Sequence, residues 1–483
     1  MVPLCRNVLL VVARFLAFFS FCSAVCLIPG DTHAAADISV HLISSSMDGG
    51  YNANGGSHAP AISADGRFVV FLSVASNLVS NDDNGLLDVF VHDLWTRTTT
   101  LVSQSFDGGP ANGEPSRPAI SANGELIVYS SDASNVIPGD CTDATGDCNE
   151  ASDVFLYNRL TGETELISVN STGEIGNKNS FTRRPSVTND GRYVVFYSNS
   201  TNYDERVLDD PETNQVYVRD RFSGTTELIS ENSSEEIGDN DSEYPTISAD
   251  GSAIAFHSFA ANLVDEKDIN ETLDVFLYEL DSETLTRISN TPDGWASNGA
   301  SDLAALSADG SKVAFVSFAD NLLPPGEDNN NTSDIFIYTV ADKTIHRSSV
   351  NSLGEEGNAI SDVPSLSDSG RYAAYYSFAD NLVADDENEC TDDTNKKRSC
   401  TDVFRHDTVT RETIRVSINA LGQEGNNDSS CSGITADGQA VVFYSYATNL
   451  VLDDANNFPD VFVYSLNPLV RRYYFPLMHQ NDS

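Results

Sequence analysis

Apolar residues in this chain come in short runs separated by Gly, Asp and Asn. That spacing predicts β-strands and tight turns rather than helices. The clearest unit is Ile62-Ser-Ala-Asp-Gly-Arg-Phe-Val-Val-Phe-Leu-Ser73: a strand end, an Asp-Gly turn and a second apolar strand. It recurs with turns at Asp65-Gly66, Asn123-Gly124, Asp190-Gly191, Asp250-Gly251, Asp309-Gly310, Ser369-Gly370 and Asp437-Gly438, spaced by 58, 67, 60, 59, 60 and 68 residues. Six residues past each turn's first member stands Phe or Tyr, from Phe71 to Phe443. Eight past it stands Ser, from Ser73 to Ser445, and twelve past it Asn, from Asn77 to Asn449. All seven units keep all three registers, so the chain is a repeat protein.

Each unit continues with a third strand (Asp88-Val-Phe-Val-His-Asp93), a polar turn and a fourth strand (Thr99-Thr-Leu-Val-Ser103). Four strands per unit describe a propeller blade. The runs are continuously apolar because a blade packs against neighbours on both faces, and the recurrent aromatic is assigned to that packing. The last unit has three strands, ending near Pro468, while Ile38-Ser-Val-His-Leu-Ile-Ser44 matches the fourth-strand pattern and has no unit of its own. The N-terminal strand is therefore expected to complete the last blade and remove an open edge. The expected fold is all-β, a single seven-bladed β-propeller of four-stranded blades over residues 37–468.

Length and charge narrow the functional classes. The chain has 483 residues, 40% hydrophobic, and a formal charge of −45 from 27 basic and 72 acidic side chains. This apolar content supports a core, and no basic surface remains to neutralise phosphates, which excludes nucleic acid and disfavours anionic membranes. Residues 1–36 read as a signal peptide: Arg6 and Arg14, the apolar run Phe15–Ile28, then Ala34-Ala35-Ala36 before Asp37. A membrane anchor is the rival, although the run is short for a spanning helix. No later segment is long and apolar enough to span, so the mature protein is expected to be soluble and secreted, in an extracellular, periplasmic or cell-surface location. The tail at 469–483, with Arg471-Arg-Tyr-Tyr-Phe-Pro-Leu-Met478, is read as a strap over the closure or as a surface-association segment.

The segments Pro60–Gly66 and Pro245–Gly251 (Pro-x-Ile-Ser-x-Asp-Gly), followed by Asp-Val-Phe strands, resemble the WD40-like repeats of the TolB β-propeller family. The resemblance covers nearly all of 37–468. It implies the propeller fold, on which relatives serve as binding platforms or as parts of enzymes. TolB proteins carry a separate α/β domain before the propeller, for which this chain is expected to have no room.

Cys141/Cys148 and Cys390/Cys400 lie between second and third strands in the two longest repeats, bracketing the extra residues. Each pair is expected to staple an inserted loop by a disulfide, with a thiolate metal site as the rival. Cys431 is left single and is read as a small buried residue.

Strand alternation puts the short turns on one face and the long second-to-third loops and blade crossovers on the other. The long-loop face holds most of the Asp and Asn and is the candidate contact surface. Its loops repeat Asp-x-Asn-x-x-x-Asp: Asp82-Asn84-Asp88, Asp268-Asn270-Asp274, Asp328-Asn330-Asp334 and Asp454-Asn456-Asp460. Blade 6 has Asp386 and Asn388 with Asp402 displaced by the insertion, and blade 2 a looser cluster of Asp140, Asp143, Asp147 and Asp153. In blade 3 Pro211 and Gln215 replace the positions after Asp209. Hard oxygen ligands at this spacing suit Ca2+, while Asp and Asn also cap loops without metal; both readings stand at this point. The crossovers carry Gly-x-x-x-Asn-x-x-Ser in five blades, for example Gly354/Asn358/Ser361, read as a structural turn.

No nucleophile elbow, zinc-protease helix, Walker loop or dinucleotide-binding glycine set is present. His92 and His406 share a third-strand register, and His41 and His346 a fourth-strand register, so they stand in separate blades. The expected function is a monomeric protein- or polysaccharide-binding module acting through the acidic loop face, with Ca2+ as its only candidate cofactor. An extracellular carbohydrate-active lyase or glycoside hydrolase is the alternative. A non-repeating His/Arg/Glu cluster at the central channel would favour the enzyme, and a purely repeated Asp/Asn surface the binding module.

Overall fold

The computed structural model describes residues 38–48, 53–139, 147, 149–182, 186–207, 213–265, 270–391, 396–452 and 454–466. The expected signal segment, the 469–483 tail, the Cys141–Cys148 pairing, Asp268 and the side chain of Cys431 lie outside them. Among the described residues there is no helix. Seven four-stranded antiparallel sheets form the blades of a propeller. Blade 1 runs through Ser57–Ile62, Phe68–Ser73, Asp88–Asp93 and Thr98–Leu101. The last blade is completed from the other end of the chain: Ser39–Leu42 pairs antiparallel with Asp460–Ser465 as the outer strand. First and last repeats are thereby joined, as the strand arithmetic predicts.

Local chemistry explains the recurrence. At the first turn Asp65 Oδ1 accepts the Ser63 hydroxyl (2.6 Å) and the Arg67 amide (3.0 Å), and Gly66 takes the left-handed conformation, φ 74°, that the turn demands. The recurrent second-strand aromatic is buried and stacks on a third-strand ring, as in Phe71–Phe90 (5.9 Å) and Phe256–Phe276 (5.7 Å). Phe71 also packs in one apolar cluster with Val442, Val461 and Val463 of blade 7, so each ring ties blade to blade.

The recurrent Ser and Asn fix the loop face. Ser73 Oγ accepts the Ala75 amide at 3.0 Å and pairs with Ser57 at the start of the first strand. Asn77 Oδ1 accepts the Asn54 amide of the preceding crossover, and the equivalent bond recurs in every blade through Asn135, Asn202, Asn262, Asn321, Asn381 and Asn449. The crossover pattern is thus a clamp between consecutive repeats. In blade 6 the insertion forms its own hairpin, Glu389–Thr391 with Lys397–Ser399, closed by a Cys390–Cys400 disulfide.

Candidate functional site

The long loops begin where second strands end, and their acidic motif has one geometry. In blade 1 Asn84 Oδ1 accepts the Leu86 amide (2.9 Å), while its Nδ2 donates to Asp88 Oδ2 (2.9 Å) and to the crossover carbonyl of Ala111 (3.0 Å). Ser103 at the end of the fourth strand donates to Asp88 Oδ1 at 2.6 Å and accepts the Val89 amide. Asn456, Asp460 and Ser44 repeat this in blade 7, and Asn330, Asp334 and Ser349 in blade 5. In blade 4 Asn270 Nδ2 bonds Ser297 O and Ser289 bonds Asp274. The Asn side chains therefore serve the loop backbone and turn their amide groups, not oxygens, toward the carboxylates.

The structure adds blade 2 to the pattern and closes it in blade 6 as the displaced Asp402 implies. In blade 2 the set is Asp147, Asn149 and Asp153: Asn149 donates to Asp153 Oδ2 and to Gly176 O, each at 2.7 Å. The sequence holds the same spacing there, hidden among the extra acids of the insertion. In blade 6 Asn388 reaches Asp402 Oδ2 at 3.0 Å across the insertion, because the disulfide draws its two ends together. Blade 3 does the job with one residue, Gln215, whose Oε1 accepts from Ser230 and whose Nε2 donates to Gly238 O.

These carboxylates are costly groups to bury. Asp88 is pushed up to about 6 by burial and by the neighbouring charge of Asp82, against the Ser103 and Asn84 hydrogen bonds. Burial and Asp454 likewise raise Asp460 to about 6. Three blades supply a compensating cation from the fourth strand. Arg347 Nη1 lies 3.1 Å from Asp334, 3.5 Å from Asp328 and 2.8 Å from Glu356. Arg415 stands between Asp386 (3.4 Å) and Asp402 (3.5 Å), and Arg287 lies 3.7 Å from Asp274.

A second polar set lines the axis. First strands of adjoining blades touch one another, so they surround the centre. Those of blades 1, 4, 5 and 6 carry a bulge at the same register, with Ala59, Tyr244, Leu303 and Val363 at φ 52°, 55°, 50° and 55°. A left-handed β-branched residue such as Val363 is strained, and bulges re-aim neighbouring side chains. The residues before these bulges are His58, Glu243, Asp302 and Asp362. Tyr376 donates to Asp362 Oδ2 at 2.9 Å, and His58 meets Tyr444 edge-on at 6.5 Å. Burial and the Asp362 charge raise Asp302 to about 7, while burial and Arg117 lower His58. The position recurs in these four blades and is acidic in three, with His58 as the exception.

Exposed apolar side chains favour the long-loop face. Of sixteen large hydrophobics that are exposed among the described residues, twelve lie on its loops and crossovers, including Phe106, Phe259, Trp295, Phe318, Tyr446 and Phe458. The turn face has Trp95, Leu160, Phe222 and Val409. No helix of the described residues is long and apolar enough to cross a membrane.

The class defined by this fold and site is a seven-bladed propeller with a carboxylate pocket in most blades of one face. No protein-family model matches the sequence, and no curated protein matches it. Solved structures similar to it include TolB from Acinetobacter baumannii, at 16% identity and TM-score 0.37 over 74% of this chain and 63% of that one. An oligogalacturonate lyase in complex with manganese has 12% identity and TM-score 0.48, over 89% of this chain and 96% of its own. The β-propeller domain of the Trilobed protease from Pyrococcus furiosus has 10% identity and TM-score 0.49, over 86% and 98%. The propeller assignment rests on the strand pairing itself, and no functional residue is carried over from these proteins.

Proposed function

We propose that this protein is a secreted binding module that engages a protein or polysaccharide through its long-loop face. The observation that carries the reading is the concentration of exposed aromatic and aliphatic side chains among acidic loops on that face. Aromatic anchors within a polar surround are the usual composition of a recognition surface, and the clamped crossovers supply the rigidity that limits the entropy cost of binding. The acidic surround favours partners that are neutral or cationic over polyanions. The test is capture of envelope or matrix protein and polysaccharide by the immobilised protein, compared with a variant carrying Phe259→Ser, Phe318→Ser and Tyr446→Ser. Retention that the variant loses supports the reading; equal retention by both contradicts it.

The channel constellation favours a second reading, a carbohydrate-active enzyme. Asp302 lies under the charge of Asp362, and His58 under that of Arg117, so acid, base and cationic groups face the axis as acid–base chemistry on a glycosidic bond requires. Release of unsaturated or reducing-end products from a polysaccharide panel, lost in Asp362→Asn, would establish it.

A further inference from the structure

We propose that blades 1 and 7 each bind a calcium ion between their paired loop carboxylates, Asp82 with Asp88 and Asp454 with Asp460, in the place that an arginine guanidinium fills in blades 4, 5 and 6. The comparison is internal to the ring. On the fourth strand, the residue paired with the third-strand aromatic is Arg287, Arg347 and Arg415 in blades 4 to 6. At the same register stand Leu101 opposite Phe90 in blade 1 and Leu42 opposite Phe462 in blade 7. Blade 3 also has leucine there, Leu228, but carries Gln215 in place of the carboxylate and needs no cation. Blades 1 and 7 keep both carboxylates and have neither device.

A second observation points into the same pockets. Asp82 is 6% exposed and Asp454 9% exposed, and Oδ1 of each is buried with no hydrogen-bond partner. A buried acceptor without a donor costs about 1–3 kcal/mol, more when charged, so such atoms are rare in native proteins. In blade 5 a single guanidinium nitrogen reaches both equivalent carboxyls, Asp328 at 3.5 Å and Asp334 at 3.1 Å, and the motif places Asp82 with Asp88 and Asp454 with Asp460 at the same positions. Among the described residues no basic side chain lies within ion-pair distance of these four carboxylates.

The donor chemistry selects the ion. Carboxylate oxygens are hard ligands, and the paired groups are carboxylates with no sulfur or imidazole among them. Calcium accepts that irregular oxygen set, whereas magnesium demands a near-octahedral one. The sequence motif offers calcium ligands alike in blades 1, 4, 5 and 7; in blade 5 the guanidinium of Arg347 already reaches both Asp328 and Asp334. Blade 2 has Asp147, Asp153 and Leu166 at the corresponding positions and is expected to follow blades 1 and 7.

The test is calcium stoichiometry of the chelator-stripped full chain by isothermal titration, with magnesium as the comparison ion, for wild type, Asp82→Asn and Leu101→Arg. Each variant is expected to lose one equivalent of calcium relative to wild type. Leu101→Arg, which grafts the blade 4 arrangement, is expected to keep the wild-type circular dichroism and to melt at or above the stripped wild type. Should Leu101→Arg fail to fold, Asp82→Asn decides, because Asp82 holds no loop backbone in place. A wild type that takes up no calcium, or an Asp82→Asn protein with undiminished stoichiometry, overturns the proposal. Calcium uptake is read on the protein alone, so either result leaves the capture experiment to stand or fall separately.

Discussion

Ser44 donates its hydroxyl hydrogen to Asp460 Oδ1 at 2.5 Å although 416 residues separate them, and Ser44 Oγ accepts the amide of Val461 at 3.0 Å. In blade 1 these bonds join Ser103 to Asp88 and Val89, only 15 residues away. The N-terminal strand thus reproduces at the closure the contact that every other blade makes within itself.

Ser44→Ala should therefore destabilise the whole propeller, by about 1–3 kcal/mol, because it leaves Asp460 Oδ1 and the buried Val461 amide without this partner. Ser103→Ala should cost a similar amount. Denaturant midpoints check both. A Ser44→Ala loss much smaller than that of Ser103→Ala would mean that the closing strand contributes little, contrary to its pairing with Asp460–Ser465.

The Cys390–Cys400 bond closes a loop of 10 residues and holds Asn388 against Asp402. Its removal in a Cys390→Ala/Cys400→Ala protein should lower stability by roughly 2–3 kcal/mol on the chain-entropy account. Reductant should lower the wild-type melting temperature by more than the double variant's, which keeps only the expected Cys141–Cys148 bond. Equal melting of oxidised and reduced wild type would contradict this.

Asp302 gives a pH dependence with a definite sign. Its folded value, about 7, lies above that of an unfolded carboxyl, about 4. Between these values the unfolded chain has released the proton and the folded one has kept it, so stability falls as pH rises through that window. Asp302→Asn should flatten this decline, melting a few degrees above wild type at pH 8 and close to it at pH 4. An identical pH profile would show that the channel carboxyl is not perturbed.

Asp220 works in the opposite sense. Burial opposes its charge, but Arg192 at 2.8 Å and the amides of Phe222 and Ser223 outweigh it and hold the carboxyl down to about 2. Its stabilisation is complete above the ordinary carboxyl value of about 4 and is lost as pH falls from there toward 2. Asp220→Asn should remove part of the acid-limb slope of the denaturant midpoint. The Arg192 side chain is 43% exposed, so the contribution is modest and should shrink further with salt. A slope indifferent to the substitution would contradict the pairing.

Blade number, strand order and closure were legible in the sequence because each blade repeats its registers, and a period seen seven times needs no tertiary information. The roles of Ser73 and Asn77 were not: their recurrence marks them as structural, but the Asn77 bond to Asn54 crosses between repeats. The full motif in blade 2 was readable at Asp147-x-Asn149, yet extra acids in the insertion masked it. The exchange of leucine and arginine opposite the third-strand aromatic stayed hidden, since the register of Leu101 against Phe90 follows only from the strand pairing. The channel set was least legible, for His58, Arg117, Asp302 and Asp362 come from four blades and the strand bulges decide where three of them point.

The central claim is that the long-loop face is the contact surface, and charge reversal there tests it most directly. Asp83, Glu271 and Glu387 are exposed in loops of blades 1, 4 and 6. The measurement is retention of envelope- or matrix-derived protein and polysaccharide on immobilised wild type and on an Asp83→Lys/Glu271→Lys/Glu387→Lys protein of equal melting temperature, with a turn-face control, Glu163→Lys/Glu283→Lys. The account predicts retention by wild type and by the turn-face control, and its loss in the loop-face variant. Retention that survives loop-face reversal but falls with the turn-face control would contradict it.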